Sequence, residues 1–94
     1  MTNIVVQDLD SDDNQFSFRV EVGEGGSRTT HLVELDRDEY QNLTDGKISP
    51  EELIQCSFEF LLERESKESI LNKFNVSVIS RYFPEYSSEI LKYF

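Results

Sequence analysis

The chain is 94 residues long, enough for one domain with one thin core and too short for two. Hydrophobic residues at 37% and charged residues at 30% describe a folding chain rather than a disordered one, and a single cysteine, Cys56, excludes an internal disulfide framework or a multi-cysteine zinc site. A formal net charge of −10 repels phosphate backbones and anionic lipid, so nucleic acid and membrane are disfavoured as partners, and no apolar run approaches the roughly 18 residues that span a bilayer.

The opening, MTNIVVQDLDSDD, lacks the basic n-region and apolar run of a signal peptide. With one cysteine in a small domain, the expectation is a reducing compartment, the cytoplasm. Ile4-Val5-Val6 reads as an edge strand or as a frayed terminus, and residues 1–14 as an acidic, partly disordered lead-in carrying four Asp and no Lys or Arg. Phe16, Phe18, Val20 and Val22 alternate with Ser17, Arg19 and Glu21, the period of a half-buried strand. Gly23-Glu24-Gly25-Gly26-Ser27 supplies a turn, and Thr29–Leu35 is a second β-prone run with His31, Val33 and Leu35 on one face. Pairing the two runs is expected to bring Arg19 near Glu34.

Past Leu35 the period changes. Asp36 is a candidate N-cap with Glu39 three residues on, and Asp45-Gly46 is a stop. Ser49-Pro50-Glu51-Glu52 has every mark of a helix start: a capping serine, proline at the first helical position and a glutamate to complete a capping box. The helix it opens carries an apolar band wide enough to be covered on more than one side: Leu53, Ile54, Phe58, Phe60, Leu61 and Leu62. A further helix is expected over residues 66–74, with Ile70 and Phe74 spaced i, i+4. Residues 76–83 fit either a short helix or a strand, and their helical neighbours favour helix. Pro84 ends that element, and residues 85–94 close the chain as a short helix with Tyr86, Ile90 and Leu91 inward. The whole predicts an α+β fold over residues 1–94: an antiparallel β-hairpin, three-stranded if Ile4–Val6 joins it, then four or five short helices.

No residue set here assembles into catalytic, cofactor or metal chemistry. His31 is the single histidine, has neither a second His nor a Cys nearby in sequence, and reads as a partly buried strand residue with a hydrogen-bond partner; a small enzyme or metal-binding protein built around it is the last-ranked alternative. Cys56 lies in an acidic helix, the wrong setting for a thiolate nucleophile. Asp8, Asp10 and Asp12 resemble the start of a calcium loop, but Asp13 and Arg19 stand where that loop needs glycine and glutamate. Gly23–Ser27 is followed by no Gly-Lys-Ser/Thr and no helix, so it is no phosphate cradle. The carboxylates Glu51, Glu52, Glu59 and Glu63 read as a solvated face.

Two stretches carry resemblances. Ser69–Ser77 followed by Ile79-Ser80-Arg81-Tyr82 resembles the helix–turn–helix of bacterial regulators, shortened by two or three residues after the turn serine; that resemblance implies a DNA-binding regulator working through residues 69–83. The segments His31-Leu32-Val33-Glu34-Leu35, Ser57–Glu65 and Ile79–Tyr86 together resemble a family of small uncharacterised bacterial proteins, which implies a bacterial, cytoplasmic origin and assigns no functional residue. Charge and aromaticity point elsewhere for function. Residues 48–68 carry six Glu against Arg64 and Lys67, whereas residues 69–94 are nearly neutral. Five of the last thirteen residues, Tyr82, Phe83, Tyr86, Tyr93 and Phe94, are aromatic, more than a thin core absorbs. They are the expected contact surface of a non-enzymatic interaction or regulatory module, for a protein partner or for self-association.

Overall fold

The computed structural model describes residues 2–94. Strand structure begins at β1 (Asn3–Asp8), where Ile4, Val5 and Val6 supply the β-branched side chains that suit a pleated surface. It pairs antiparallel with β2 (Gln15–Glu24), so the edge-strand alternative holds and the frayed terminus does not. The acidic connection turns at Asp12, whose Oδ1 accepts from the N–H groups of Asn14 and Gln15 at 2.8 and 2.9 Å. These bonds hold the Asp12 carboxyl below the usual carboxylate range.

β2 and β3 (Ser27–Asp36) form the expected hairpin. Its turn residues, Gly25 and Gly26, have φ of 58° and 86°, which a side chain would resist. The alternation is realised from Phe18 on: Phe18, Val20 and Val22 on β2 and His31, Val33 and Leu35 on β3 are buried, while Phe16 packs half-buried against the core. Register corrects one expected contact. Arg19 stands opposite Leu32 and bridges Glu21 at 3.1 Å, while Glu34 lies opposite Ser17 and accepts from Gln15.

Helix α1 (Arg37–Thr44) ends where Asp45 takes φ 52°, followed by Gly46 at φ 74°. Asp36 occupies its N-cap position but makes no capping bond; the carboxylate accepts instead from Asn75 Nδ2 at 3.2 Å. Helix α2 (Pro50–Leu62) starts with both halves of the capping box, Glu52 N–H to Ser49 Oγ and Ser49 N–H to Glu52 Oε1. It buries Leu53, Ile54, Ser57, Phe58, Phe60 and Leu61 between the sheet and the closing helices, as its broad apolar band predicts.

The expected helix over residues 66–74 is absent. A single 3-10 turn, Lys67–Ser69, is followed by extended chain and by β4 (Lys73–Asn75), which pairs parallel to β3. The reason is tertiary. An isolated nine-residue helix is marginal, whereas the extended chain gives its carbonyls partners on β3: Leu71 O receives His31 Nδ1 at 2.7 Å and Asn72 O receives the Leu32 N–H at 2.7 Å. Ile70 and Phe74 still reach the core. The sheet therefore has four strands in the order β1-β2-β3-β4, with α1 and α2 forming the crossover that a parallel pair requires.

Of residues 76–83, all but Phe83 are helical, as their neighbours favour: a 3-10 turn at Val76–Val78 leads into α3 (Ile79–Tyr82). Pro84 separates α3 from α4 (Tyr86–Glu89), which runs into a final 3-10 turn, Ile90–Tyr93. Tyr86 and Ile90 point inward as expected, but Leu91 points outward and is 54% exposed.

Candidate functional site

The aromatic tail divides into three environments. Tyr86 is core rather than surface: it is 1% exposed, its hydroxyl meets Ser57 Oγ at 2.6 Å, and its ring stands edge-on to Phe60 at 5.2 Å. Burial pushes its phenol well above the ordinary tyrosine range. Phe83 and Tyr93 are half-buried against the same Phe60 ring, at 5.9 and 6.3 Å, with the Arg64 guanidinium 3.6 Å over it. The Tyr93 hydroxyl donates to Glu63 Oε2 at 2.6 Å. Tyr82 and Phe94 are the two exposed members, Tyr82 at 67%. Phe60 thus accounts for three of the five aromatics that composition alone leaves over.

Of the five, Tyr82 and Phe83 come together in a groove of about 300 Å³ between the end of α2 and α3. Its floor is Leu61, Ile70, Phe74 and Ile79, all buried, and its rim includes Leu71 and Tyr82, both exposed. Local structure builds it stepwise. α2 delivers Leu61 and gives way to the turn at Arg64 and Glu65, whose N–H groups both bond to Leu61 O. The Lys67–Ser69 turn then redirects the chain, and the bonds from His31 and Leu32 pin residues 71 and 72, leaving the Leu71 side chain outside. Glu65 also lines the groove. It is half-buried, forms no ion pair among the described residues, and its carboxyl is pushed up by that burial.

Residues 69–83 were also the segment resembling a helix–turn–helix. Its first helix would need residues 69–74, and there the chain is extended and enters β4, so those residues face β3 rather than forming a helical pair. What the segment builds is the groove. Ile70, Phe74, Ile79 and Phe83 were legible as packing residues from their spacing. Leu71 and Glu65 were not, because neither carries a periodic signal; their places follow from the strand docking.

His31, expected to be partly buried with a hydrogen-bond partner, is fully buried, and both ring nitrogens are engaged. The Leu71 carbonyl can only accept, so Nδ1 carries a proton, and Nε2 lies 2.9 Å from the Thr29 hydroxyl. Cys56 is half-buried with its Sγ 3.4 Å from the Tyr93 carbonyl oxygen. Burial, then Glu59 and Glu52, push its thiol up, the opposite of nucleophile activation. Among the described residues, no three His, Cys, Asp or Glu stand together as a metal site would need, and no helix is long and apolar enough to cross a membrane. Comparison of the chain with family models, with curated proteins and with solved structures gave no match.

Proposed function

We propose that the chain is a non-enzymatic protein–protein interaction module, and that the groove between α2 and α3 receives an apolar side chain of a protein partner beside a Lys or Arg. The observation that carries this reading is the groove's composition: a buried apolar floor, the exposed rim residues Leu71 and Tyr82, and one half-buried carboxylate, Glu65, that forms no ion pair among the described residues. Exposed aromatic and aliphatic residues around a recess are what interface centres use. A Lys or Arg can lay its stem along apolar surface and bring its head group to a carboxylate. The overall charge of −10 favours a basic partner at longer range. A domain built without a disulfide is consistent with a reducing, cytoplasmic setting.

The test is affinity capture from the native cell with wild type, Tyr82→Ser, Leu71→Ser and Glu65→Gln chains side by side, each checked for native circular dichroism. A single protein, identified by mass spectrometry, is expected to fall at least several-fold in both rim variants, and Glu65→Gln to shift its salt dependence. Equal recovery on all four chains would sink the reading.

A further inference from the structure

The second surface is the outer edge of β1. The Leu9 N–H bonds to Ser17 O at 2.9 Å, and the register steps back by twos through Gln7↔Arg19, Val5↔Glu21 and Asn3↔Gly23. In an antiparallel ladder those residues spend their backbone groups on β2, so Ile4, Val6 and Asp8 aim theirs away from the sheet. β1 is the end of the strand order on this side. It has few of the usual protections of an edge. Residues 3–8 hold no Lys and no Pro and one charge, Asp8 at the strand's end, the pairing runs without a bulge, and Val5 is 55% exposed on the open face.

Beside this edge lies a recess of about 350 Å³ lined by Thr2, Ile4, Gln55, Glu59, Leu62 and Glu63. It lies alongside the edge between β1 and α2, where alternate side chains of a fifth strand would reach. Its walls combine apolar surface, Ile4 and Leu62, with the carboxylates of Glu59 and Glu63. Glu59 makes no ion pair among the described residues, whereas Glu63 already accepts from the Tyr93 hydroxyl and lies 3.8 Å from the Arg64 guanidinium.

We propose that β1 accepts an extended segment of a protein partner as a fifth strand, and that this segment carries Lys or Arg at alternate positions. Main-chain hydrogen bonds to Ile4, Val6 and Asp8 hold it, and a cationic side chain crosses Leu62 to reach Glu59, with Glu63 adding negative charge beside it. A second copy of this chain is the wrong occupant. The two-fold axis that would join β1 to β1 also lays two α2 helices side by side on one face, setting Glu59 and Glu63 against their own copies, between molecules of charge −10 each. The site is separate from the groove and does not depend on it.

The test uses three capped synthetic peptides of alternating Lys and Val: unmodified, N-methylated at every Lys, and N-methylated at every Val. All three carry the same charge, but only one methylated set removes the donors that face β1. Titration followed by backbone amide NMR is expected to move Ile4, Val6 and Glu59, with one methylated peptide binding at least about tenfold more weakly and the other close to the parent. Glu59→Lys weakens the parent peptide, and Tyr82→Ser leaves it unchanged, which separates this site from the groove. Equal binding of all three peptides would mean charge alone and would overturn the proposal. So would shifts confined to other residues, or sedimentation showing a dimer that Val6→Pro dissociates.

Discussion

His31 shows how much one buried polar residue decides. It packs on Phe58 with ring centroids 5.4 Å apart, and its Nδ1–H holds the Leu71 carbonyl forty residues away in sequence. His31→Ala opens a cavity and leaves a carbonyl without its partner, so it is expected to cost about 2–4 kcal/mol in urea unfolding. The Leu32 amide, bonded to Asn72 O, should also exchange faster than amides elsewhere in β3. Glu39 poses the opposite case. Its Oε1 is buried with no hydrogen-bond partner, and burial first, then Asp36, pushes its carboxyl above the ordinary 4.5. A raised native value means the folded chain holds the proton more tightly than the unfolded one. The stabilisation this brings is complete below about 4.5 and is lost as pH rises through the native value. Glu39→Gln is therefore expected to raise Tm at pH 7 and to lose most of that advantage at pH 4 in a thermal melt series.

Among the elements, those whose determinants are local were readable from sequence. The hairpin follows from a two-residue period interrupted by glycines, and α2 follows from Ser49, Pro50 and Glu52 acting within one turn. Ser49→Ala is expected to cost about 1 kcal/mol by denaturant titration. Asp36→Ala, at a cap position whose side chain makes no capping bond, should cost less. Asp36 and Ser49 look alike in sequence, since each precedes a helix by one residue and has a glutamate three residues later. They differ because Asn75 draws the Asp36 carboxylate toward β4, and Glu39 is turned inward instead of back to the cap. The i, i+4 pair Ile70 and Phe74 suggested a helix for the same reason. Both residues are buried, but the pattern cannot distinguish one helix face from an extended segment that dips twice into the core. The deciding partners, His31 and Leu32, lie on another element.

At the scale of the molecule, the candidate surfaces were half legible. The aromatic surplus pointed to the end of the chain and so to Tyr82 and Phe83. It could not foresee that Phe60 would gather Phe83, Tyr86 and Tyr93 around itself, nor that Leu71 and Glu65 would complete the groove. The β1 edge was one of two readings of Ile4-Val5-Val6, and which of its backbone groups stay unpaired follows only from the register with β2. The parallel strand β4 has one further consequence, for the sizes of the sheet's two open sides. Lys73–Asn75 lie along β3 and replace a ten-residue edge there with one of three residues. A very short edge strand offers little backbone for another chain to pair with. The longer open side is then the six-residue β1.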